Sequence, residues 1–430
     1  MRKILLATAV ALILAQGTHA AEPRIVAAAV ADRIAAEYFD PKRGAEIAAE
    51  LKAEAAKGVY DRYREPLDLA QALTARLRPL DGHFSVSWRA PSPTGTAGPT
   101  PRPTAAPQGV PARRLEADRR ANHGFHQVSV LPGNIGLIDM RYFADLSGAG
   151  QASQATADAA LALVAGTEAV IFDLRDNGGG SPGMVGYMVS HFVPEDAAIY
   201  NTFKGRGPDQ HETPPAKIRG ARRLETPLYV VVSARTASAA EAFAYTLKAA
   251  GRATIVGEAT AGAANPGGPV QAGDGFSVFV PFGRPVNPIT GGNWEGTGVA
   301  PDVAVPAAEA LTRARVLALE AVLKGGLEEP AATETRWALE ALAPAAPAEL
   351  ADYAGTYGVR SVAVEDGRLR MRQGRRPPLT LKPLSADLFA VEDAFQPSRV
   401  RFERGGDGKV IALVVMDPAG RQARFAASGS

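Results

Sequence analysis

Leu228-Tyr229-Val230-Val231-Val232-Ser233-Ala234-Arg235-Thr236-Ala237-Ser238-Ala239-Ala240-Glu241 begins as a short apolar run rich in β-branched residues and then breaks into small polar ones. Five such residues are too few for a helix and read as a buried strand; the residues from Ala239 to Ala249 then read as a helix. The same plan occurs earlier. Ala169 to Leu174 is a strand run, Asp176-Asn177-Gly178-Gly179-Gly180 is a turn, and Met184 to Phe192 is a helix. Working outward, Ile135 to Ile138 and Ala253 to Val256 add strands, and Leu161 to Val164 marks a further helix. Strands alternating in this way with helices predict an α/β core with parallel strands and crossover connections. Phe276 to Pro281 is expected as an edge strand of that sheet, and Ala307 to Leu323 as a closing helix.

The two turns also suggest chemistry. One puts the Ser238 hydroxyl at the mouth of a helix, and the other puts flexible backbone amides at a strand-to-helix turn. If they are neighbours in space, a nucleophile faces an anion-binding pocket, the arrangement of acyl transfer. A second reading stays open. Ser238-Ala239-Ala240-Glu241 has the form of a capping box, in which serine and glutamate do no more than satisfy free amides of the helix.

The chain has 430 residues, 46% of them hydrophobic and 21% charged, enough for two or three domains. A formal net charge of +2, with no sustained basic run, argues against a nucleic-acid surface. There are no cysteines, which removes disulfides, thiolate nucleophiles and thiolate-bound metals. Arg2-Lys3, the apolar Ile4 to Leu14 and the break at Thr18-His19-Ala20 predict an export signal over 1–20, cleaved after Ala20, and a periplasmic or secreted protein. The apolar stretch is too short to span a bilayer, so no stable membrane insertion is expected.

Spacing-four patterns such as Val26, Val30, Ile34 and Leu69, Leu73, Leu77 predict an N-terminal helical cap over 21–88. Within it, Asp81-Gly82-His83 is a tight turn leading into a strand. A proline-rich linker follows over 89–113, then the α/β core over 114–326, a linker with a short helix over 327–347, and a small all-β domain over 348–430. That last region alternates apolar and polar residues between glycine turns and offers no convergent set of His, Asp or Glu. His123 and His126 have no partner at metal-ligand spacing, so no metal site is expected, and no cofactor is implied.

Four ordered blocks resemble the C-terminal processing (tail-specific) serine peptidases and their tricorn core and interphotoreceptor retinoid-binding relatives: Leu80-Asp81-Gly82-His83, Phe172 to Gly180, Arg235 to Glu241, and Gly257-Glu258-Ala259-Thr260-Ala261-Gly262. The resemblance implies a core of the crotonase-like (ClpP/crotonase) type. It also implies Ser238 as nucleophile and an oxyanion hole from the amides of Ala239 and one glycine of the triplet, taken as Gly179. Members with a Ser/Lys dyad carry a lysine where Ala263 stands here, so that dyad is absent. Lys248, ten residues after Ser238, lies about 15 Å farther along the helix and cannot replace it. The tricorn-like members instead imply His83 as base with Glu295, in Asn293-Trp294-Glu295-Gly296, as the carboxylate. No PDZ-like domain stands between cap and core, which makes recognition of a substrate tail doubtful. The expected function is an exported serine endopeptidase acting on peptides or unfolded proteins. The alternative, from a different class, is a non-catalytic periplasmic protein that binds a hydrophobic ligand or peptide on the same fold. The sequence leaves the oligomeric state open.

Overall fold

The valine-rich runs become the centre of a six-stranded sheet. Its spatial order is Val303–Ala304, Thr254–Gly257, Leu228–Val232, Ala169–Asp173, Ile135–Met140 and Phe125–Leu131. The first five are parallel and the last is antiparallel to its neighbour. Every residue of the three strands Ile135–Met140, Ala169–Asp173 and Leu228–Val232 is buried, as a sheet covered on both faces requires. Alternation along each strand sorts the side chains. Phe172 and Val230 pack with Met188, Phe192 and Phe243 of the helical face formed around Pro182–Ser190 and Ala239–Ala249. Ile171 and Val231 pack on the opposite face against Ala314 and Leu319 of the helix Ala307–Lys324. Each such fully buried side chain contributes about 1.5–3 kcal/mol of burial energy.

The computed structural model describes residues 22–90, 112–146, 151–344, 349–392, 394 and 396–428. The expected export signal, residues 91–111 of the proline-rich stretch and 345–348 of the second linker lie outside the described residues. The chain divides into two units, one formed by Met1–Arg102, Gly205–Pro208 and Asn265–Arg284, the other by the remainder.

The first unit contains the helices Pro23–Glu37, Pro41–Ala56 and Pro66–Leu77, each opening on a proline whose missing N–H is no loss in a first turn. Asp40 caps the second by accepting from the amides of Lys42 and Arg43. These helices share a core with a three-stranded antiparallel sheet of order Ser85–Trp88, Phe276–Pro281, Gly267–Gly273. Phe276–Pro281 is therefore a strand, as expected, but not an edge of the parallel sheet. Its alternating burial, with Phe276, Val278 and Val280 turned into this core, suits a sheet with one covered face, whereas the parallel sheet buries both.

Residues 355–426 form an eight-stranded antiparallel meander: Gly355–Tyr357, Arg360–Glu365, Arg368–Gln373, Leu379–Ser385, Leu388–Glu392, Arg399–Arg404, Val410–Met416 and Gln422–Ala426. An antiparallel bridge from Tyr357 to Ala427 joins its first and last strands into a near-barrel. Tyr353, Tyr357, Leu369, Leu381, Phe389, Phe402 and Leu413 fill its interior. Among the described residues no helix is long and apolar enough to cross a membrane.

Candidate active site

Ala169–Asp173 and Leu228–Val232 are adjacent parallel strands, in register from Val170 beside Leu228 to Asp173 beside Val231. Parallel neighbours deliver their following turns to the same sheet edge, where α/β proteins bind ligands. The two turns are stitched together there. Thr236 Oγ1 donates to the Leu174 carbonyl at 2.7 Å, Ser233 Oγ to that of Arg175 at 2.6 Å, and the Ala237 amide to that of Asn177 at 3.0 Å. The Asp176 carboxylate accepts from Arg235 Nε at 2.8 Å and also pairs with Arg141, which holds its pKa below the ordinary carboxylate range.

Gly179 is the point of closest approach. Its φ is +111°, and a Cβ there would lie 2.8 Å from the Ser238 Cβ, 2.9 Å from the Ala237 carbonyl oxygen and 3.1 Å from the Ala239 nitrogen. Only glycine lets the turn press against the serine in this way. The Gly179 amide donates to Asn177 Oδ1 at 2.9 Å, and the Asn177 amide group donates to the Met140 carbonyl.

Ser238 is exposed and takes φ 55°, ψ −121°, where an ordinary N-cap sits in the β region. These are the angles of the first central residue of a type II′ turn, which glycine dominates. A residue with a side chain held there stores about 1–3 kcal/mol of strain, an observation that points toward function. Glu241, fully buried, holds the strained backbone in place. Its Oε2 accepts from the amides of Ser238 at 2.8 Å and Ala263 at 2.9 Å, and its Oε1 from Thr260 Oγ1 at 2.5 Å and the Gly262 amide at 2.6 Å. One carboxylate thus joins the Ser238 turn to the loop of Gly262 and Ala263. The next amide along that loop, Ala264, donates to Glu295 Oε2 at 2.9 Å.

Residues 134–305, which hold both turns, the Glu241 anchor and Glu295, match the profile of peptidase family S41. Over this stretch the chain is similar to the S41 peptidases. Solved structures resemble it at low identity. A lipoprotein from Streptococcus agalactiae is 15% identical, covers 75% of this chain and 100% of its own, and has a TM-score of 0.47. The photosystem II D1 C-terminal processing protease is 18% identical, with 69% and 97% coverage and a TM-score of 0.41. The tricorn protease is 18% identical over 47% of this chain and 17% of its own, with a TM-score of 0.27.

The unit that holds the two turns brings together Ser238, Ala239, Gly179 and the loops of Ala263 and Glu295. His83 belongs to the other unit, in the turn before Ser85–Trp88. Its Nδ1 lies 3.1 Å from Asp81 Oδ1, which also accepts the His83 amide at 2.9 Å, while Asp81 Oδ2 accepts the Tyr38 hydroxyl at 3.0 Å. Burial works to raise the Asp81 pKa, but the bonds from His83 and Tyr38 prevail and hold it below the usual carboxylate range. Sequence reasoning looked to Glu295 to orient the histidine and overlooked Asp81, although a carboxylate two residues before a histidine in a tight turn is a usable sign. It also took Glu241 only as a capping residue. Lys248 is bound to the Ala300 carbonyl and paired with Asp302. His191 is buried against Tyr187, and burial lowers its pKa to about 4. His126 pairs with Asp139, and His123 bonds to Ser153.

Proposed function

We propose that this chain is an exported serine peptidase in which Ser238 attacks a peptide carbonyl, His83 accepts the serine proton, and the Ala239 amide with the glycine turn holds the oxyanion. The observation that carries this reading is the exposed Ser238 at φ 55°, ψ −121°, at the mouth of a helix with Gly179 pressed against it. A serine that serves only as a cap gains nothing from that conformation, whereas a nucleophile gains an accessible hydroxyl beside orphan helix amides. Asp81 supports the choice of base: with Nδ1–H toward its carboxylate, Nε2 is the basic nitrogen of the imidazole, and the imidazolium formed on protonation is stabilised.

Glu295 is assigned the third place in a Ser/His/Glu set and adds negative charge that favours the imidazolium. Proton transfer from Ser238 to His83 accompanies formation of the tetrahedral intermediate. The same proton passes to the leaving amine, and water activated by His83 then hydrolyses the acyl-enzyme. For Gly179 to supply the second oxyanion donor, its N–H must share or release Asn177 Oδ1. The substrate class is a peptide or an unfolded protein, met outside the cytoplasm if residues 1–20 act as an export signal.

The test is labelling of the purified protein with a fluorophosphonate, alongside Ser238→Ala, His83→Ala and Glu295→Gln, followed by assay on an unfolded protein. Loss of nucleophile or base is expected to lower kcat by about 10⁴–10⁶. Wild-type protein that neither labels nor cleaves, yet holds a hydrophobic ligand tightly, would replace this reading with that of a binding protein.

A further inference from the structure

The C-terminal near-barrel is filled over most of its length, but one end is not. There a cavity of about 390 Å³ opens, in the size range of small-ligand sites. Its apolar wall includes Met371, Leu379, Val391 and Val415. Each of these stands two positions along its strand from an interior side chain, Leu369, Leu381, Phe389 and Leu413 respectively, so the inward-facing row of every strand continues into the cavity.

Two guanidinium groups, of Arg360 and Arg376, share the lining of this mouth. Arg360 lies over the Phe425 ring, 4.0 Å from its centroid, and burial together with the charge of Arg376 lowers its pKa. Arg372 pairs with Glu365, Arg399 with Glu340, Arg404 with Asp387, and Arg424 with Glu403, while Arg368, Arg370 and Arg375, which have no carboxylate partner among the described residues, do not line the cavity. Among the described residues no carboxylate pairs with Arg360 or Arg376. Two like charges at the rim of an apolar cavity repel one another, and an anion between them removes that cost while offering both guanidiniums a charge-assisted partner.

We propose that the barrel mouth is a binding site for a carboxylate carrying an apolar tail, its head on Arg360 and Arg376 and its tail among Met371, Leu379, Val391 and Val415. Two sources share that chemistry, a fatty acid and the free C-terminus of an apolar peptide. The site is separate from Ser238 and does not rest on the peptidase reading.

The experiment is calorimetric titration of full-length Ser238→Ala protein, in which no substrate is consumed. The probes are decanoate, 1-decanol, and a peptide ending in leucines with either a free or an amidated C-terminus. Saturable binding of decanoate or of the free-acid peptide is expected, with the alcohol and the amide roughly tenfold weaker or worse. The member of the two that binds identifies the source. Arg360→Gln and the exposed Arg376→Gln should each weaken binding severalfold while melting at the parent temperature. No saturable heat from either carboxylate, equal binding of acid and neutral analogues, or affinities unchanged in Arg376→Gln would overturn the proposal.

Discussion

Glu241→Gln tests how the strained serine is held. The carboxylate accepts four hydrogen bonds, two at each oxygen, from donors that include three backbone amides fixed by the chain. Glutamine keeps one acceptor and turns the other into a donor. With the new NH₂ in the place of Oε2, it opposes the Ser238 and Ala263 amides. In the place of Oε1 it opposes only Gly262, because the Thr260 hydroxyl can rotate and accept. The second arrangement is the cheaper one, and it still leaves one buried amide unpaired and converts the bond to Ser238 from a charged acceptor to a neutral one. Together these losses amount to about 3 kcal/mol. For a domain of this size such a loss lowers Tm by roughly 6–12 °C. Well below that transition, fluorophosphonate labelling of Ser238 should fall about tenfold, since the turn is free to relax. Differential scanning calorimetry and labelling rates, both compared with wild type, measure the two effects. A variant that melts and labels like wild type would show that Glu241 neither carries the loop nor holds Ser238.

Three further outcomes follow from single positions. Ser238→Gly should raise stability by about 1 kcal/mol relative to Ser238→Ala, because glycine adopts φ 55° without strain; equal melting temperatures would remove the argument from strain. Gly179→Ala should abolish labelling while leaving most secondary structure intact by circular dichroism, since its Cβ would sit 2.8 Å from that of Ser238; full activity would mean the turn is not held against the serine. Glu212 is driven to a pKa of about 8 by burial, and its Oε2 has no hydrogen-bond partner. Its folded pKa is raised above an unfolded value of about 4.3, so its contribution to stability is present below that value and is lost as pH rises toward 8. The Tm of Glu212→Gln should therefore gain on wild type between about pH 5 and 8 and then hold a constant lead; a pH-independent difference would contradict this.

Much of the core was legible because its cause is local. Continuous apolar runs at 169–172 and 228–232 can be buried only as interior strands, and glycine or a small polar residue must break them before a helix begins. Ser238, Gly179 and Ala239 were visible for the same reason, as residues at those breaks. The eight-stranded C-terminal domain was foreseeable as β structure from its two-residue alternation, although the bridge from Tyr357 to Ala427 that joins its ends was not.

By itself, then, the sequence determined the interior strands of the core and the helices that follow them, its parallel α/β character, and the serine at a helix mouth, but not the strands Phe125–Leu131 and Gly267–Gly273. Tertiary structure alone decided the partners. Phe276–Pro281 pairs with Ser85–Trp88, about 190 residues earlier in the chain, instead of extending the parallel sheet. Glu241 gathers amides from two loops, Asp81 takes the Nδ1 of His83, and Ser238 is held at a positive φ. The physical reason is that periodicity records only whether a residue faces a core. Which distant donor meets a buried carboxylate, and what strain it sustains, depends on the path of the whole chain.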